Sequence, residues 1–219
     1  MAAGPDPAEA LPPEVLGELR NTVRPNALDE AARVLASAVV ALSEEDVETA
    51  VRAAKAAKRL APRSAATREV LGVALYQLGD YRAARTELAA AQRLSGGAEL
   101  SAMLADIERA LGRPERAVEL FDTTDRTRMQ PDTAAELLVV AASAYGDLGQ
   151  PAAGVALLRR HARWPAELSD HHLRLAYTEG ALAEQAGDIA GARKAFTRVV
   201  EADPSFYDAA ERLERLPSG

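Results

Sequence analysis

An all-α fold of stacked helix hairpins is what this sequence predicts, on three observations. Hydrophobic residues make up 48% of the chain but aromatics only 4%, so the core must be built from Ala, Leu and Val, a set suited to close helix–helix packing and poor for a sheet. Apolar residues recur at three- and four-residue spacing rather than alternating, which is the period of an amphipathic helix. The stretch Ala65 to Ala98 reads as helix, tight turn and helix, and every other ordered segment is a variant of it. Leu71, Gly72, Leu75, Tyr76 and Leu78 share one face, Gly79-Asp80 punctuates, and Ala84, Leu88, Ala91 and Leu94 resume the spacing. A pair this short cannot bury both apolar faces alone, so copies of it must stack.

In order, residues 1–12 carry three prolines and no period, and are expected to form a disordered tail. Residues 13–216 are expected to form one elongated domain. Pro13 opens a short helix with Val15, Leu16 and Leu19 on one face, ended by Arg24-Pro25, which covers the first repeat. Repeats follow at about 31–64, 65–98, 98–131, 135–168 and 173–206. The first has Asn26 as its expected cap and a turn, Ser43 to Asp46, that lacks glycine. The glycines Gly79, Gly112, Gly149 and Gly187 lie 33, 37 and 38 residues apart, so the unit is constant while the later joints lengthen. A helix over 207–216, with Phe206, Ala210, Leu213 and Leu216 inward and Asp208, Glu211, Arg212, Glu214 and Arg215 outward, reads as a solvating end cap before a tail at 217–219.

These residues resemble the tetratricopeptide repeat (TPR) family, whose unit is 34 residues with small or apolar signature positions and a closing proline. The match falls on Leu71, Gly72, Tyr76, Gly79, Asp80, Tyr81, Ala84, Leu88 and Ala91, on Ala38, Ala50, Ala57 and Pro62, and on Gly180, Gly187, Asp188, Ala192, Phe196 and Pro204. The family's first-helix tryptophan is absent, and Thr124 and His161 stand where a small alanine is usual. The Ala- and Arg-rich run Leu104 to Phe121 is also similar to actinobacterial single-domain members. The resemblance implies a right-handed α-solenoid of about five repeats, with an N-terminal covering helix and a C-terminal capping helix.

The resemblance also implies that first helices line a concave groove receiving a peptide or helix of a partner protein. By position, that groove contains Leu35, Val39, Glu69, Val73, Tyr76, Glu99, Asp106, Arg109, Glu136, Ser143 and Tyr177. Leu35, Val39, Val73 and Tyr76 are expected to accept apolar side chains, while Glu69, Glu99, Asp106 and Glu136 select a basic or amide-rich segment. The competing reading is that these carboxylates form an ordinary solvated face and that the N-terminal helix covers Leu35 and Val39.

Other chemistry is scarce. With 26 Lys and Arg against 33 Asp and Glu, the net charge is −7, and no basic stripe could follow a nucleic-acid backbone. Cysteine is absent, which removes disulfides, thiolate metal sites and thiol nucleophiles. The N-terminus lacks a basic start and an apolar core, and no run of about 18 apolar residues occurs, so a cytoplasmic protein without membrane contact is expected. His171 and His172 are adjacent and splayed about 100° apart on a helix, unlike a metal-sharing pair four residues apart. No cofactor, metal site or catalytic constellation is predicted. The expected role is a non-enzymatic protein-binding adaptor; the alternative is a self-associating scaffold, a homodimer being its simplest form.

Overall fold

The computed structural model describes residues 11–217, and among them the chain forms twelve α-helices, two short 3-10 turns and no strand. The helices are α1 (Pro13–Thr22), α2 (Leu28–Ser43), α3 (Val47–Leu60), α4 (Ala65–Gln77), α5 (Tyr81–Ser95), α6 (Ser101–Ala110), α7 (Pro114–Thr123), α8 (Pro131–Asp147), α9 (Pro151–His161), α10 (Asp170–Gln185), α11 (Ile189–Ala202) and α12 (Ala209–Arg215). Five consecutive pairs, from α2 with α3 to α10 with α11, pack as hairpins. The predicted all-α repeat class is therefore observed.

One turn chemistry makes all five hairpins. Gly79 lies at φ +82°, its N–H donating to Tyr76 O at 3.0 Å while Asp80 N–H donates to Leu75 O at 2.9 Å. This Schellman arrangement satisfies the last carbonyls of α4. It recurs at Gly112, Gly149 and Gly187, all with φ between +71° and +76°. The hairpin without a glycine adopts it too: Glu45 sits at φ +60°, with a longer 3.3 Å bond to Leu42 O. The next helix starts on an Asp cap where the sequence offers one, as at Asp46, Asp80 and Asp188, and otherwise on a proline in its first turn, Pro114 or Pro151. A side chain at positive φ costs about 1 kcal/mol or more, and the entropy of a glycine returns part of the gain. Glu45→Gly is therefore expected to stabilise the protein by about 0.5 kcal/mol, measured as a rise in the urea midpoint.

Between Leu100 and Ser101 the chain divides into two compact units, where the sequence reading counts a single domain. In the first, α2 to α5 form two hairpins, with Ala50, Ala54, Leu71, Ala74, Leu75, Ala84 and Leu88 buried. Glu87 is buried between Lys58 of α3, an ion pair, and Arg68 of α4 at 2.8 Å. The second unit holds three hairpins and α12, with Ile107, Phe121, Leu137, Leu158, Phe196 and Val199 in its core. There Glu179, one of two buried carboxylates with Glu108, is bonded to Arg159 of α9 at 2.8 Å and faces Arg198 of α11 at 3.8 Å. These charged staples join elements 19 to 29 residues apart.

Several boundaries differ from expectation. Asn26 is not a helix cap: it lies in a 3-10 turn, Pro25–Ala27, and α2 starts at Leu28 without a side-chain cap. Tyr207 takes φ +46°, so the last helix starts at Ala209 rather than at 207. Of the segment 1–12 expected to be a tail, residues 1–10 lie outside the described residues, as do 218 and 219; Leu11 is buried.

Candidate functional site

The first helices of the hairpins carry the residues expected to meet a partner, and in the first unit these are α2 and α4, which touch. Across them lies α1. Leu11, Leu19 and Val23 are buried with Ala31, Ala32, Leu35 and Ala36 of α2 and with Ala57 and Ala61, while Val15, Leu16, Val39, Ala66 and Val70 pack at the edge of the same cluster. Leu35 and Val39 are among the positions expected to line a groove, and here α1 packs over them. Leu35 is wholly enclosed and offers no surface to a partner while α1 is seated; Val39 is half-buried for the same reason.

The polar link is as specific as the apolar one. Glu18 of α1 accepts the Ala65 N–H at 2.5 Å through Oε1 and the Ala66 N–H at 3.1 Å through Oε2. Ser64 Oγ accepts the Thr67 N–H at 3.0 Å, and Arg68 N–H reaches Ser64 O. Each amide of the first turn of α4 that lacks an intrahelical partner is thereby satisfied. The carboxylate sits at the positive end of the helix, where charge-assisted bonds are strongest. Glu69, one turn along α4, is exposed, yet its carboxyl is pushed above the usual glutamate range, first by loss of water around it and then by the charge of Glu18. The two carboxylates repel. Farther along, Val73 and Tyr76 are half-buried, Tyr76 meeting Tyr81 edge-on at 5.7 Å.

In the second unit α8 lies between α6 and α10, and arginines of both reach its acidic residues. Arg109 on α6 bonds Asp147 of α8 at 2.7 Å and Asp106 at 3.2 Å; Arg174 on α10 faces Glu136 of α8 at 3.4 Å. Arg212, expected to point outward, turns in to Glu184 of α10 at 2.7 Å and donates to Tyr177 OH at 3.2 Å. Tyr177 OH donates to Asp208, also expected outward, at 2.5 Å, and its ring is edged by Phe196, Phe206 and Tyr207. Tyr177 is thus held by the C-terminal segment, its pKa raised by burial first and by the bond to Asp208 next. Ser143 is half-buried on α8. Glu99 is not on a first helix, because Gly96-Gly97 follows α5 and α6 begins only at Ser101; it lies in the intervening turn.

All three histidines line one bowl of about 320 Å³ at the ends of α7 to α10, with Arg126 and Arg163. Each has a structural partner. His161 meets Phe121 edge-on at 5.4 Å, and Arg126 lies over the same ring at 3.9 Å. Arg126 and Arg163 donate to the closing carbonyls of α7 and α9. His171 Nδ1 faces both Asp132 at 2.5 Å and Ser169 Oγ at 3.0 Å. Among the described residues, no group of three or more His, Asp or Glu side chains is placed to hold a metal ion. Trp164 is half-buried beneath the Arg198 guanidinium, 4.1 Å from its ring centre.

His172 Nδ1 accepts from the Ser169 N–H at 3.3 Å at the start of α10. Burial first, and the charge of His171 second, lower its pKa, Asp132 opposing; His161 is lowered by burial and then by Arg126, Arg160 and Arg163, Asp122 opposing. Unfolded, His161 and His172 bind protons at a higher pH than they do folded. Stability is therefore full above the ordinary histidine pKa of about 6.5 and falls as the pH drops below it. His172→Gln keeps an acceptor for Ser169 without a titrating ring, so the loss in urea midpoint between pH 7.5 and 5.5 is expected to shrink, leaving the part due to His161.

Consecutive antiparallel pairs sharing one turn type define a helical-repeat protein. The chain belongs to the tetratricopeptide repeat family: the family model matches residues 35–99, 70–132 and 177–213, more than half of its length. No curated protein matches it. Among solved structures it is similar to YrrB, described as a TPR protein with an unusual peptide-binding site, at 14% identity and a TM-score of 0.57, over 84% of this chain and 92% of that one. It also matches Naa15/Naa10 bound to HypK-THB at 15% identity and a TM-score of 0.38, over 84% of this chain but only 33% of that one. No helix among the described residues is long and apolar enough to cross a membrane.

Proposed function

We propose that the chain is a non-enzymatic adaptor that holds a helix or extended segment of a partner protein on the concave positions of its first helices, α2 and α4 in the first unit and α6, α8 and α10 in the second. The observation that carries this reading is the seat of α1, an amphipathic helix fitted to Leu35, Val39 and Ala66 by apolar contact and to α4 by a carboxylate. A surface that takes one such helix has the shape and chemistry of a helix-in-groove site. The peptide-binding site described for YrrB, a protein of the same fold, is in keeping with it. Asp106 and Glu136 face arginines of their own face, Arg109 and Arg174, so the basic selection expected of these carboxylates is not carried into this reading.

The test is a photo-crosslinking residue placed at Val73 and, in a separate variant, at Thr86, an exposed position on α5. Covalent partner adducts are expected from 73 and not from 86 in the native cell; the reverse order contradicts the reading.

A further inference from the structure

Taking the adaptor reading as given, we infer that α1 is a displaceable occupant of its seat, and that the partner segment fitting this seat is an amphipathic helix carrying a carboxylate just before a buried leucine, as Glu18-Leu19 does. The seat sets this chemistry from both sides. Its floor is apolar, made of Ala31, Ala32, Leu35 and Ala36, and takes the Leu11, Leu19 and Val23 side chains. Its rim presents the Ala65 and Ala66 N–H groups, which donate to an anion or to a neutral oxygen. A lysine or arginine there would face two donors and the positive end of α4. Acidic, not basic, is therefore the character of a helix that replaces α1, although the residues expected to line the groove include more carboxylates than arginines.

Two features make α1 exchangeable rather than a fixed wall. Among the described residues it is the one helix of the first unit outside a hairpin, and no side chain caps its start. Its joint to α2 runs through extended backbone at Val23 and Arg24 and a single 3-10 turn, so the connection can swing without breaking a regular element. Ten residues are too few to hold a helix alone in water, so release and loss of helicity go together. A partner competes with a tethered segment whose effective concentration is about millimolar. Its apparent affinity for the resting chain is lowered by the small fraction of open seats.

The experiment uses a fluorescent peptide with the sequence of residues 11–24, added to the full-length protein and to the full-length Leu19→Asp variant, whose own α1 can no longer bury that position. Binding to Leu19→Asp is expected to be at least about tenfold tighter than to the unaltered chain. A peptide with glutamine in place of Glu18 should bind about fivefold more weakly, and one with lysine there more weakly still. In parallel, the backbone amide resonances of Ala65 and Ala66 should shift on release of α1 and return when the peptide binds. Should Leu19→Asp fail to fold, Glu18→Gln, which loosens the same helix from its polar end, takes its place. Equal binding to the variant and the unaltered chain, or none to either, means that α1 is a permanent part of the fold and overturns the inference. Tighter binding of the lysine peptide overturns its acidic character. Neither result touches the adaptor reading, which crosslinking at Val73 decides separately.

Discussion

Truncating Phe196 to alanine is expected to cost about 3–5 kcal/mol, the largest loss from any single substitution in the second unit. Phe196 is the bulkiest side chain among the described residues that is wholly buried. Its ring lies against the bare backbone of Gly180, where a Cβ would come within 2.8 Å of it. Tyr177 stands edge-on at 5.8 Å, and the Arg212 guanidinium lies 4.8 Å from the ring centre. Removing the ring opens a cavity between α10 and α11 and withdraws the surface on which Tyr177 and Arg212 rest, so α12 loosens as well. Urea unfolding followed by Trp164, the single tryptophan and a residue of this unit, reads the change.

Gly154→Ala is expected to be nearly as damaging, by about 2–3 kcal/mol net, although alanine is the better helix former by about 1 kcal/mol. A Cβ on residue 154 of α9 would fall 2.6 Å from the backbone carbonyl oxygen of Ala142 in α8 and 2.9 Å from Leu182. Side chains can swing aside, but a helix carbonyl cannot, so the pair of helices must separate. Gly17 in α1 provides the control, since nothing lies within 4 Å of its added Cβ. Gly17→Ala should instead stabilise by about 0.5–1 kcal/mol through helix propensity alone. Thermal unfolding of the two variants should therefore shift in opposite directions.

The repeat was legible because one physical constraint, a helix that must reverse within four residues, left the same trace each time. Gly79, Gly112, Gly149 and Gly187 mark left-handed positions, and the spacing of Leu and Ala marks the faces between them. Glu45 shows the limit of that signal: the same turn forms without the residue that advertises it. Glu99 was misplaced because counting 34 residues ignores the delay that Gly96-Gly97 imposes on α6. The pairing of the candidate carboxylates was not legible in the sequence. Whether a carboxylate selects a partner depends on which arginine reaches it, and Arg109 to Asp147, Arg174 to Glu136 and Arg212 to Glu184 join residues 28 to 38 positions apart. Glu18 lies 47 residues from the amide it caps, and no local pattern announces the contact.

Hydrogen exchange of the full-length protein, resolved by residue, tests most directly whether the first unit's concave face holds its helix reversibly. Amides of α1 should exchange through a local opening, with protection roughly a hundredfold or more below that of α3 and α5, and Ala65 and Ala66 should lose protection in step with them. Exchange of α1 at the same free energy as α2 to α5, through unfolding of the whole unit, would contradict the account.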